Sequence, residues 1–333
     1  MDLALEYGKR RIMERSSLNN STQIEEYKQF LDRTSLGSLT KRASNLLTLK
    51  LTNQLEPFQL TANHWIVLSC LWRRDGQPVT YIARQIQQIG GTLTGVLDRM
   101  EKRKLVVRRR DKQDRRIWRV FLTEKGSQLL NELPRLVRQI WDQALEQISK
   151  EEKERFSQLI DHCLKNLIPE YSCSLPECSN ELPPELSRIL PPKSLGYRMK
   201  VLTLALSRRF SEVLSPYEVT TVQWVALCRL WRQEGITTME IGSHVDMVGG
   251  TLTGLLDRME ERGLVSRRVD EQDKRRILVF LTARGKELYQ VLPPLALAIT
   301  GDTTKGLKPS DIDFMKDFLQ RMITALESKQ VSK

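Results

Sequence analysis

The chain carries one sequence twice. Trp65 and Trp224 lie 159 residues apart, and the same offset returns Gly90-Gly91-Thr92-Leu93-Thr94-Gly95 as Gly249-Gly250-Thr251-Leu252-Thr253-Gly254. Asp98-Arg99-Met100-Glu101 recurs as Asp257-Arg258-Met259-Glu260, and Val120-Phe121-Leu122-Thr123 as Val279-Phe280-Leu281-Thr282. From Ser35 to Pro134 about 43 of 100 aligned positions are identical without a gap, and the offset carries to about residue 168. Solenoid units run about 20–50 residues, so a period this long means two copies of one whole domain. The expected domains are 35–168 and 194–333, joined by a linker over 169–193. Pro169 to Pro192 holds six of the chain's 13 prolines, which makes that linker semi-rigid. At about 3.1 Å per residue in a polyproline form it could span at most roughly 75 Å. Residues 1–34 have no counterpart between the copies and read as a helical N-terminal extension.

Within the first copy, Thr61 is the expected N-cap of a helix with Trp65, Leu68, Leu71 and Trp72 on one stripe, ended by Asp75-Gly76. Thr80–Gln87 gives a short second helix. A third spans Gly91–Lys102, with Leu93, Val96, Leu97 and Met100 turned to the core and Thr92, Gly95, Arg99 and Lys102 on the opposite arc. Leu105-Val106-Val107 and Trp118–Leu122 read as strands around a polar tip, Arg110–Arg116. Thr123 is expected to cap one long helix to about Gln147, followed by Glu151–Leu167; in the second copy Pro293-Pro294 and Gly301 are expected to interrupt the matching long helix. Three helices, a basic hairpin and a long helix make a winged helix-turn-helix. The fold class is therefore mainly α with small β-hairpins, as two tandem winged helix-turn-helix domains.

The run GGTLTGVLDRMEKRKLVVRRRDKQDRRIWRVFLTEKG resembles the MarR family of transcription regulators through its LDRMExxxLVxR, DxxDRR and VxLTxxG elements. The second copy keeps LDRMEERGLVSR, DEQDKR and VFLTARG. The resemblance covers about residues 36–168 and 195–327. It departs from the family in fusing two copies that are usually separate, dimerising chains, and in having Lys104 where a glycine is usual; the second copy keeps Gly263.

The resemblance implies sequence-specific binding of double-stranded DNA, with one recognition helix per copy in the major groove and one basic wing in the minor groove. A groove about 12 Å wide admits a helix, and the N-terminal residues of a recognition helix reach the base edges. The candidates are Gly90, Gly91, Thr92, Thr94, Gly95 and Arg99 in the first copy, and Gly249, Gly250, Thr251, Thr253, Gly254 and Arg258 in the second. Glycine inside a helix costs about 1 kcal/mol against alanine, so Gly95 and its twin Gly254 suggest close approach to the backbone. The wing candidates are Arg109, Arg110, Lys112, Arg115 and Arg116, then Arg268, Lys274, Arg275 and Arg276. The window Arg99–Arg119 has 11 basic and three acidic residues, against seven and five in Arg258–Leu278, so the first copy is expected to bind more strongly. The resemblance also implies helical dimer interfaces at the domain ends, met here by an intrachain pseudo-dimer or a homodimer, and a small anionic aromatic ligand that alters DNA affinity. No ligand-binding residue can be chosen from sequence.

Other chemistries find little support. Asp111 and Asp114 sit in a turn, where aspartate accepts local backbone bonds. His64, His162 and His244 lack metal-ligand spacing, and His162, Cys163, Cys173 and Cys178 fit no standard zinc site. Gly-Gly-Thr lacks the Lys-Ser/Thr of a phosphate loop. The expectation is a regulator with no enzyme activity, cofactor or metal. No apolar run approaches 18 residues and the start is no secretory signal, so the sequence reads as cytoplasmic, without membrane contact. Two alternatives from other classes are a winged-helix protein-interaction adaptor and a metal or redox sensor built on the cysteines.

Overall fold

The computed structural model describes residues 34–87, 93–169, 171, 189–191, 193–245 and 247–328. Gly90, Gly91 and Thr92, most of the linker and nearly all of the N-terminal extension lie outside the described residues.

Each copy begins with a 20-residue helix, α1 (Leu36–Leu55) and α8 (Leu195–Leu214). In the first copy α2 (Ala62–Arg73), β1 (Gln77–Pro78), α3 (Val79–Gln87), α4 (Thr94–Lys102), β2 (Val106–Arg110) and β3 (Trp118–Leu122) follow. The second copy repeats them as α9 (Thr221–Arg232), β4 (Ile236–Thr237), α10 (Thr238–Val245), α11 (Gly249–Glu261), β5 (Val265–Val269) and β6 (Ile277–Leu281). Thr61 caps α2 by accepting from the His64 N–H, while His64 Nδ1 accepts from the Thr61 N–H at 3.0 Å. Thr220 and Gln223 form the same box on α9, so two residue types satisfy one rule.

Each sheet has three strands, with β3 between β1 and β2, and β6 between β4 and β5. The two-residue β1 and β4 went unforeseen because two residues carry no periodicity. Strand β2 also runs further than expected, to Arg110, where it faces Trp118. Gly126, in the VxLTxxG element, is demanded by packing: a Cβ there would come within 2.1 Å of the Leu105 carbonyl oxygen.

The long helix expected after Thr123 is broken. Thr123 does cap a helix, accepting from the Gly126 N–H, but α5 (Glu124–Gln128) gives way to a 3-10 turn before α6 (Leu133–Ala144). The second copy breaks at the same place, between α12 (Ala283–Glu287) and α13 (Leu292–Thr303), and Gly301 does not interrupt α13. Pro134 and Pro293 occupy first-turn positions, where the missing N–H has no intrahelical partner to lose. The remaining helices are α7 (Lys150–Leu167) and α14 (Pro309–Glu327).

Two compact units result, and they are not divided at the linker. One takes Leu206–Thr303 with residues 34–38; its core joins Trp224, Leu227, Ile241, Leu255, Met259 and Val279. The other takes Leu39–Ala205 with residues 304–328, so α14 packs with the first copy. There Phe156 of α7 and Phe318 of α14, both fully buried, stack at 3.9 Å between ring centroids. Arg155 pairs with Asp311 at 2.7 Å, Arg42 with Glu327 at 2.7 Å, and Gln143 donates to the Ala325 carbonyl at 2.8 Å. The repeat offset makes α7 and α14 twins.

Lys104 adopts φ +56°, and Gly263 at the twin position has φ +62°. A side chain in this left-handed region costs roughly 1–2 kcal/mol, partly offset by the greater unfolded freedom of glycine. Lys104→Gly should therefore raise stability against urea by about 0.5–1 kcal/mol, whereas Gly263→Lys should lower it; a destabilising Lys104→Gly would contradict the strain.

Candidate nucleic-acid interface

Helices α4 and α11 bury one stripe and expose the other. Val96, Leu97 and Met100, and their twins Leu255, Leu256 and Met259, are buried. Thr94 and Arg99 are exposed, as are Gly249, Gly250, Thr251, Thr253 and Arg258; Gly95 and Gly254 are half-buried. A Cβ at Gly95 or Gly254 would touch only the tip of Arg99 or Arg258, at 3.4 and 3.3 Å. The absent side chains thus leave backbone reachable from solvent. Gly249 has φ +57°, and a Cβ there would meet no atom within 4 Å, so it serves the turn into α11 and not close packing.

Arg109, Arg110, Lys112, Arg115, Arg116, Arg268, Lys274, Arg275 and Arg276 are all exposed. The hairpin tip is built by aspartate. Asp111 Oδ1 accepts from the N–H groups of Gln113 and Asp114 at 2.8 and 2.9 Å, and Asp114 accepts from the Arg116 N–H at 2.9 Å. These backbone bonds, then the Arg119 guanidinium, hold the Asp111 carboxyl down at about 2. Arg116 and Arg275 rest on Asp114 and Asp273 at 3.1 and 3.2 Å, yet both arginine side chains are 92% exposed. Arg110 lies over Trp118, 4.2 Å from the ring centroid; the twin rung instead presents exposed Val269 and Ile277.

The charge imbalance survives folding. In Arg99–Arg119 eight cations are exposed and no acid is; in Arg258–Leu278 five cations and two acids are exposed. The difference comes from Arg110 and Lys112 opposite Val269 and Glu271, and from Lys102 and Lys104 opposite Glu261 and Gly263, offset by one charge where Ile117 is opposite Arg276.

One set of residues escaped the sequence reading. Arg108 on β2 pairs with Asp98 at 2.6 Å and with Glu101, both on α4, and Glu101 also accepts from the Arg108 N–H at 2.7 Å. Arg267 repeats this with Asp257 at 2.5 Å and Glu260 at 2.6 Å. The clamp ties the exposed helix to the first wing strand, and these hydrogen bonds lower the Glu101 carboxyl below its usual range despite partial burial. Its signal was present in the LDRMExxxLVxR spacing, where Asp and Glu three apart share a helix face.

Behind the first helix-turn-helix, His64 is 3% exposed and its Nε2 has no hydrogen-bond partner among the described residues. Burial, with the charges of Arg99 and Arg103, pushes its imidazole down to about 4. A histidine kept neutral by folding contributes its full stability above about pH 6.5 and loses it as pH falls toward 4. The loss should reach about 3 kcal/mol at most. His64→Gln, the residue of the second copy, should flatten this limb in urea titrations between about pH 7 and 4; an unchanged slope would assign it elsewhere.

The same compact unit contains a cavity of about 200 Å³ lined by Ser44, Leu47 and Leu51 of α1, Trp65 of α2 and Trp141 of α6. Its further wall comes from the end of the linker and the start of α8, including Pro191, Tyr197 and Lys200. Burial, and then nearby Lys41, lower the Lys200 ammonium below its ordinary value. The described cysteines Cys70, Cys163 and Cys228 are buried, and burial pushes Cys70 and Cys163 up to about 12. Thiols so poor in thiolate make weak nucleophiles and weak redox sensors. Cys173 and Cys178 lie outside the described residues. Among the described residues no helix is long and apolar enough to cross a membrane.

The MarR family model matches the chain twice, at residues 60–118 and 219–277, again 159 apart. An organic hydroperoxide resistance transcriptional regulator of Bacillus subtilis (strain 168) is 32% identical over 123 residues, 37% of this chain and 80% of that protein. This chain belongs to the MarR family. Each MarR match falls on a helix-turn-helix and wing described above. The chain is also 38% identical over 102 residues to the HTH-type transcriptional regulator TtmR of Methylorubrum extorquens (strain PA1). That alignment takes in 30% of this chain and about half, 52%, of TtmR. Among solved structures, a probable transcriptional regulator from Pseudomonas aeruginosa is 25% identical, covering 35% of this chain and 90% of its own, with a TM-score of 0.32.

Proposed function

We propose that this MarR-family chain is a sequence-specific regulator of transcription that grips double-stranded DNA with two reading heads. The carrying observation is the pairing, in both copies, of a helix with an open outer face and a wing whose candidate cations are all exposed. Helices α4 and α11 enter successive major grooves, where Arg99 and Arg258 and the threonines meet base edges and phosphates. The wings reach the flanking minor grooves, where arginine answers the negative potential. Thr94, Gly95 and Arg99 of α4 match Thr253, Gly254 and Arg258 of α11, so the two half-sites carry closely related sequences, while Lys102 opposite Glu261 and the wings set unequal strengths. The clamps at Arg108 and Arg267 fix the angle between each helix and wing.

Domains at 35–168 and 194–333 pair within one chain as a pseudo-dimer. The stacking of α7 on its own twin α14 supports this, because a two-fold interface brings equivalent surfaces together. The cavity beside Trp65 and Trp141 accepts a small anionic aromatic ligand, with Lys200 opposite the anion. In this reading the protein works in the cytoplasm and performs no catalysis.

Selection of a random duplex pool by the full chain, followed by sequencing, tests the proposal. Two related half-sites about one helical turn apart are expected. Retention without enrichment, or no retention at low salt, would overturn sequence-specific reading.

A further inference from the structure

The two copies within this chain differ at the residues that give the ligand cavity its chemistry. Ser44 is 2% exposed, lines the cavity, and its hydroxyl has no hydrogen-bond partner among the described residues. Asn63 adds an amide and Leu51 leaves room beside Trp65. The repeat offset pairs these with Thr203, Val222 and Phe210.

None of the three twins keeps the function. The Thr203 hydroxyl donates to the Met199 carbonyl of its own helix at 2.8 Å, so it has no hydrogen left to offer. Val222 replaces an amide by methyl groups. Phe210 fills space with a ring 6.4 Å from the ring of Trp224, and both Phe210 and Val222 pack against the core of the second reading head. Trp141, whose ring lies so near Gly196 that a Cβ there would come within 2.8 Å, is matched by Thr300, which donates to the Ala296 carbonyl at 3.3 Å.

We infer that the chain has a single ligand site, in the first copy, for a molecule with a small apolar ring and one anionic group that reaches Ser44 and Lys200. This rests on the ligand reading above. Within its unit, the wall of that site is tied to the first reading head. Arg73 of α2 donates to the carbonyls of Leu190 and Pro191 at 2.7 and 2.8 Å, and the Tyr197 hydroxyl meets the Gln85 carbonyl and side chain of α3 at 3.0 Å. A ligand that displaces Tyr197 or Pro191 therefore bears on the helix preceding α4. One ligand per chain loosens one head, turning a two-headed grip into a one-headed one.

The test uses the full chain and 4-fluorobenzoate as probe, followed by its ¹⁹F linewidth and by tryptophan fluorescence, with stoichiometry from equilibrium dialysis. Saturation at one probe per chain is expected. The triple variant Ser44→Thr, Leu51→Phe, Asn63→Val imports residues the second copy already folds with, and should weaken binding at least tenfold. The reciprocal Thr203→Ser, Phe210→Leu, Val222→Asn leaves the first site untouched and should retain the parent affinity there. Two probes per chain, or undiminished binding by the first triple variant, would overturn the single site while leaving ligand binding intact. Absence of saturable binding to the unaltered chain would overturn the ligand reading itself, and this inference with it.

Discussion

Exchanging the wing charges between the copies should move DNA affinity in opposite directions. Arg110→Val with Lys112→Glu gives the first wing the residues of the second, and Val269→Arg with Glu271→Lys does the reverse. Each change shifts the wing by three charges and leaves the aspartate-held backbone bonds of the tip in place, while Arg110→Val also removes the hydrogen bond to the Arg115 carbonyl at 2.8 Å and the contact over Trp118. Each phosphate that a wing cation neutralises adds about 0.9 to the slope of log affinity against log salt. The first pair should weaken binding to the selected duplex on the order of 10–100-fold and flatten the slope by about 1–2. The second pair should strengthen binding and steepen it. Titrations at several salt concentrations read both quantities. Equal effects of the same sign, or an unchanged slope, would mean that these side chains never approach phosphate. The tip pair Arg116→Ala and Arg275→Ala probes a smaller difference, since both arginines sit on one aspartate and are equally exposed.

Phe318→Ala should be the most damaging single change in the helical layer. Phe318 and Phe156 are both fully buried and stacked, and a buried phenylalanine cut to alanine costs about 3–5 kcal/mol. Arg155, Arg321 and Gln143 hold α14 by polar contacts, but exposed ion pairs contribute about 0–1 kcal/mol each and cannot replace the stack. Urea denaturation of the full chain gives the stability change. A loss below about 1 kcal/mol would mean that α14 does not dock on α7 in solution. Sedimentation then separates intrachain from interchain docking. Under the proposed pairing the unaltered chain travels as a 38.6 kDa monomer at all concentrations, whereas exchange of α14 between chains would make dimers.

Much of the site was legible because its rules are local. Thr61 and Thr220 announce helix starts by one hydroxyl and the spacing to residue three. The exposed and buried arcs of α4 and α11 follow from a 3.6-residue period, and the wing tips from aspartates that satisfy their own turns. Duplication helped, since a motif kept at a fixed offset in both copies reports what each copy needs. The Asp98–Arg108–Glu101 clamp was visible only as spacing, because the strand that carries Arg108 must first fold back along the helix. The break before α6 was missed for a similar reason: Pro134 permits a helix to start there, and packing decides that it does.

Sequence was enough to place two winged helix-turn-helix copies, their candidate recognition helices and cationic wings, and the greater basicity of the first. Those properties depend on periodicity, capping and charge, which act over a few residues. Only the folded chain shows that α14 joins the first copy and that the linker's end walls a cavity beside the buried Ser44. Such outcomes turn on which buried surfaces meet across more than a hundred residues of chain. Burial is non-directional and proportional to area, so no local pattern names the partner.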